Sequence, residues 1–62
     1  MNNVIYRVLD NQDLKRVVVQ RLTGGKWEAI AVLKPDDRVV VNGQHKKVAD
    51  ATSDEIIAAV AG

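Results

Sequence analysis

The chain has 62 residues, nine Lys and Arg against eight Asp and Glu, one His, one Trp, one Tyr, and neither Cys nor Phe. A chain of about 60 residues buries only roughly 60% of the surface it exposes when unfolded, so one small domain is all this length holds and an isolated fold is marginal. Disulfides are excluded by composition, and a closed zinc site needs about four Cys or His ligands where His45 stands alone, which leaves oligomerisation or very regular packing to compensate.

An apolar fraction of 47% beside 27% charged residues is that of a folded domain. No apolar run approaches the roughly 18 to 20 residues that span a bilayer, and Met1-Asn2-Asn3 has no basic start, so a cytoplasmic protein with no membrane partner is expected. The net charge of +1 is unevenly spread: residues 1–49 hold all nine basic groups and a net +4, whereas residues 50–62 hold Asp50, Asp54 and Glu55 and a net −3.

In chain order, the β-branched run Val4 to Leu9 predicts a first strand over about 3–9, ended by the polar break Asp10-Asn11-Gln12-Asp13. A second strand over about 15–23 centres on Val17-Val18-Val19. Gly24-Gly25 then makes a two-residue turn into a third strand over about 26–33. The regular register of that hairpin pairs Thr23 with Lys26, Leu22 with Trp27, Arg21 with Glu28, Val19 with Ile30 and Val17 with Val32. It sets Val17, Val19, Ile30 and Val32 on one face and Val18, Leu22, Trp27, Ala29, Ala31 and Leu33 on the other. Both faces are largely apolar, so both call for cover.

Lys34-Pro35-Asp36-Asp37 reads as a type I turn, and Asn42-Gly43 as a type I′ turn joining strands over about 38–41 and 44–48. That turn pairs Val41 with Gln44, Val40 with His45 and Val39 with Lys46, and the lysines of the return strand protect an edge. Thr52 and Glu55 form a capping box for a helix over about 53–61, whose stripe Ile56, Ile57 and Val60 must dock on the sheet because about ten residues do not hold a helix alone. The expectation is one mainly β domain, 1–62: a meander of four to five antiparallel strands, as an SH3-like small barrel or a curled sheet, with one short C-terminal helix. This order resembles, in architecture alone, small bacterial post-transcriptional regulators and phage accessory proteins.

The chemistry for an enzyme is thin. Ser53 is the only serine and sits in the cap, His45 belongs to the second hairpin, and the carboxylate pairs Asp36-Asp37 and Asp54-Glu55 belong to a turn and a first helical turn. Thr23-Gly24-Gly25-Lys26 lacks both the spacing and the following helix of a phosphate loop. No catalytic residue, metal, cofactor or small-molecule substrate is therefore assigned. The favoured reading is a non-enzymatic protein-interaction or assembly module, a homodimer that completes its core through an apolar face with Val18, Leu22, Trp27, Ala31 and Leu33, or a binder of another protein. The alternative is a small RNA- or DNA-binding protein whose basic rim around the glycine turn uses Lys15, Arg16, Arg21, Lys26, Trp27, Lys46 and Lys47.

Overall fold

The computed structural model describes residues 4–61. Five strands, a short 3₁₀ turn and one helix follow in order: β1 (Tyr6–Asn11), β2 (Arg16–Thr23), β3 (Lys26–Leu33), β4 (Arg38–Val41), β5 (Gln44–Lys47), the turn Val48–Asp50, and α1 (Ser53–Ala61). The fold is mainly β with a C-terminal helix. All strand pairs are antiparallel, β1-β2-β3 making one sheet and β4-β5 a second. The SH3-like barrel does not form, because no ladder joins β3 to β4. The turn between them is closed on itself instead, Asp37 N–H donating to the Lys34 carbonyl at 3.0 Å and Lys34 N–H to the Asp37 carboxylate at 2.8 Å.

Local chemistry sets the remaining turns. Gly24 and Gly25 have φ of +57° and +80°, and Asn42 and Gly43 have +51° and +80°, the left-handed pairs that a type I′ turn requires. The second hairpin adopts the register its turn dictates, Val39, Val40 and Val41 facing Lys46, His45 and Gln44. The first strand differs from its expected span. Residue 3 lies outside the described residues, and β1 runs on through Asp10 and Asn11, which stand opposite Val17 and Arg16. The polar break shifts to residues 12–15, where the Asn11 side chain accepts Leu14 N–H at 3.1 Å and Lys15 takes a left-handed φ of +51°.

The larger departure lies between β2 and β3. Pairing follows the regular register from the turn as far as Gln20 opposite Ala29; a β-bulge then sets Val19 against Ala31, Val18 against Val32 and Val17 against Leu33. Ile30 is the extra residue. The expected pairs Val19 with Ile30 and Val17 with Val32 are thus replaced, and beyond the bulge every side chain of β3 changes face. Ile30, Ala31 and Leu33 all pack against the core, while Val32 is 59% exposed. The regular register would send only Ile30 and Val32 inward, so the bulge adds apolar surface to the buried side.

That buried side is small. Val17, Val19, Val39, Val48 and Ile56 form the core, Val19 alone reaching zero exposure, with Ile57 and Val60 of α1 and Val8 of β1 packed around them. Val48, in the 3₁₀ turn rather than the expected end of β5, is held by its N–H to the Asp37 carbonyl at 2.8 Å. The helix spans its expected residues behind a capping box: Glu55 N–H donates to the Thr52 hydroxyl at 3.2 Å and Thr52 N–H to the Glu55 carboxylate at 2.9 Å. It lies across β1, β2 and β4, so the molecule is a slab only 13 Å deep along its shortest Cα axis.

Substitutions on adjacent residues separate the bulged register from the regular one. Val19→Ala removes two methyls from the fully buried position and should cost roughly 2–3 kcal/mol. Val32→Thr, at submicromolar concentration to avoid association, should stay within about 0.5 kcal/mol of wild type. Urea unfolding followed by Trp27 fluorescence reads both, and a Val32→Thr loss comparable to that of Val19→Ala would restore the regular register.

Candidate functional site

Because α1 covers one side of the β1-β2-β3 sheet, the other side is left open, and its rows follow from the pairing. At the hairpin end lie Ile5, Leu22 and Trp27, the Ile5 carbonyl accepting Leu22 N–H at 2.9 Å as the ladder continues past β1. Arg7, Gln20 and Ala29 come next, then Leu9, Val18 and Val32, and last Asn11 and Arg16. Apolar and polar rows therefore alternate. Leu9, Val32 and Ile5 are 42%, 59% and 53% exposed, whereas Val18, Leu22 and Trp27 are half-buried. Among the described residues no carboxylate stands on this face.

Arg7 organises the hairpin half of it. Its guanidinium lies over the Trp27 ring, Cζ at 4.1 Å from the ring centre, and its Nε donates to the Gln20 side-chain oxygen at 2.6 Å. Such stacking contributes about 0.5–1 kcal/mol at an exposed site. Together the stack and the Gln20 bond give the cation a set direction. The pair escaped sequence reasoning because Arg7 and Trp27 sit on two strands that never touch, β2 lying between them; the register of both ladders is needed to find it.

Of the residues expected at a protein interface, Val18, Leu22 and Trp27 lie on this open face. Ala31 and Leu33 do not: the bulge turns both toward the core, and Val32 and Leu9 take their place in the exposed row. The residues expected to bind nucleic acid are dispersed. Arg16 belongs to the open face by register, but its Nη1 folds back to the Leu14 and Lys15 carbonyls at 3.4 and 3.3 Å. Lys26 and Arg21 lie on the opposite face, Arg21 3.8 Å from Glu28. Lys15 is in the β1–β2 turn, and Lys47 is exposed on β5.

Lys46 has a structural partner. Its Nζ lies 3.1 and 3.3 Å from the two carboxylate oxygens of Glu55, tying β5 to the first turn of α1. The backbone N–H of Thr52, and then Lys46, hold the Glu55 carboxyl below its ordinary range.

Two hollows complete the surface. A trough of about 840 Å³ runs from the β1–β2 turn to the 34–36 turn and the start of α1, with Lys15, Lys34, Asp10 and Asp36 among its lining and the buried Val17, Val48 and Ile56 at its base. A shallower groove of about 300 Å³ lies between β4 and α1. Among the described residues no group of three or more His, Cys, Asp or Glu is placed to hold a metal ion, and no helix is long and apolar enough to cross a membrane.

The lowered Glu55 ionisation predicts an acid transition. The folded state favours the carboxylate, so its stabilisation is full above the unfolded Glu value of about 4.3 and is lost as pH falls through the lower folded value. Thermal melts from pH 7 to pH 3 should show the wild type losing more stability than Glu55→Gln, the two curves converging in acid; parallel curves would dissociate the clamp from stability.

No protein-family model, curated protein or solved structure matches this chain, and what the open face does is carried by its own residues.

Proposed function

We propose that this protein is a non-enzymatic assembly module that associates with a second copy of itself through the open face of the β1-β2-β3 sheet. The observation that carries this reading is that the rows of Leu22 with Trp27 and of Leu9, Val18 and Val32 stand uncovered on the side away from α1. A core of five small aliphatic side chains gives the monomer little buried area, so covering these rows supplies the missing surface. The indole stacked against Arg7 adds an anchor of a residue type enriched at interface centres.

Sedimentation equilibrium tests it. Wild type should exceed the 6.8 kDa chain mass at micromolar concentration, and Val18→Asp, which buries a charge in any contact made by the central row, should return it to monomer with unchanged far-ultraviolet circular dichroism. A wild-type monomer, or a Val18→Asp protein that associates as before, removes the reading.

One observation favours a second reading, nucleic-acid binding: the open face carries Trp27 and Arg7 and, among the described residues, no carboxylate. A base can stack where a ring is exposed, and a phosphate pairs with a guanidinium. Trp27 is the only tryptophan and reports directly. Binding requires its fluorescence to change on adding single-stranded RNA or DNA at low salt, and the change to fade steeply as salt rises; an invariant signal excludes it.

A further inference from the structure

We infer that copies of this chain associate head to tail, the open sheet face of one seating on the outer surface of α1 and β4 of the next. This rests on the open face being an association surface and assigns what covers it. The outer surface carries the shallow groove of about 300 Å³, with Ala58 and Ala59 of α1 on one wall and Val40 of β4, 53% exposed, on the other. Val39 and Val41, on either side of Val40, point to the core, and so do Ile56, Ile57 and Val60 of the helix. The groove therefore lies on the side of the slab opposite the open sheet.

Charge selects this pairing over a face-to-face dimer. The open face has cations and, among the described residues, no acid, so a contact between two such faces sets cations against a surface with nothing to neutralise them. The groove offers a carboxylate. Glu55 is committed to Lys46 and to the Thr52 amide, whereas Asp54 at the groove forms no ion pair among the described residues. Shape agrees, since alanines let a helix approach a sheet closely and Ala58 and Ala59 line the groove opposite Val40. α1, with nine residues and about 13.5 Å of length, is long enough to cross the roughly 9.6 Å between the outer strands of a three-stranded sheet. Seated this way, each helix lies between its own sheet and the next copy's, and one kind of contact covers both exposed apolar surfaces of every copy.

Such a contact is heterologous, so it does not close at two copies unless the rotation makes a ring. Sedimentation velocity on the full chain should show a mass distribution that grows with concentration beyond twice 6.8 kDa and shrinks with added salt. Two variants test the sidedness. Val18→Asp disables the sheet face; Ala58→Arg, at an exposed helical position, disables the groove, with Asp54→Lys as an independent groove variant. Each alone should weaken self-association at least about tenfold, and an equimolar mixture of Val18→Asp with Ala58→Arg should recover a one-to-one pair of twice the chain mass, because each supplies the surface the other lacks. Groove variants that associate as wild type overturn head-to-tail assembly while leaving the open face as the interface. So does a mixture that stays monomeric. A Val18→Asp protein that still associates removes the open-face reading itself.

Discussion

The single extra residue in β3 is the constraint on which the rest of this molecule depends. A strand alternates its side chains with a period of two, so one inserted residue exchanges inside for outside in everything that follows. Here Ile30 is that residue, and through it Ala31 and Leu33 join Val17 and Val19 on the core side while Val32 is delivered to solvent. The core gains a leucine and keeps Ile30, and the open face receives Val32 beside Val18 and Leu9. The same step that consolidates the fold therefore composes the surface left open.

The helix then determines which face is left. Ile56, Ile57 and Val60 reach only the core side, and nine residues do not extend around an edge. Its position is set at one end by paired local devices: the reciprocal Thr52 and Glu55 bonds cap it, and Lys46 reaches from β5 to the same carboxylate. Glu55 thus serves the helix terminus and the joint between the small sheet and the helix together. Because α1 contacts β1 and β2 as well as β4, this joint also keeps the two sheets on one core although no strand ladder crosses between them.

Features set by short-range chemistry are legible in the sequence. Asn42-Gly43, Gly24-Gly25, Lys34 to Asp37 and the Thr52–Glu55 box each carry residues whose own backbone preferences or side-chain bonds define the conformation, and each forms where those residues stand. The bulge is not legible, since Ala29-Ile30-Ala31-Val32-Leu33 is apolar throughout and either parity presents an apolar residue to the core. What decides between them is how much apolar surface the helix and β4 bury, a tertiary quantity. Val48 illustrates the same limit: it continues the β pattern of the chain, yet the Asp37 carbonyl draws it into a 3₁₀ turn and to 2% exposure. For the candidate site, Val18, Leu22 and Trp27 were readable because they lie between the glycine turn and the bulge or on the strand the bulge leaves straight. The Arg7 stack and the exposure of Val32 depend on what lies beyond.

Charge placement follows from this geometry more closely than from the net count. The +4 region contains β4 and β5 as well as β1, β2 and β3, so the −3 helical segment meets basic groups of the strand region directly, Lys46 among them. Part of each charge is consumed internally, Lys46 with Glu55 and Arg21 near Glu28. Two of the remaining groups stand out by position: the Arg7 guanidinium over Trp27 on the open face, and the Asp54 carboxylate beside exposed alanines at the groove between α1 and β4. The side chains that form the core and those of the open rows are different sets on opposite faces of β2, so a substitution at Val18 or Val32 acts on the open face and leaves the Val17 and Val19 side untouched.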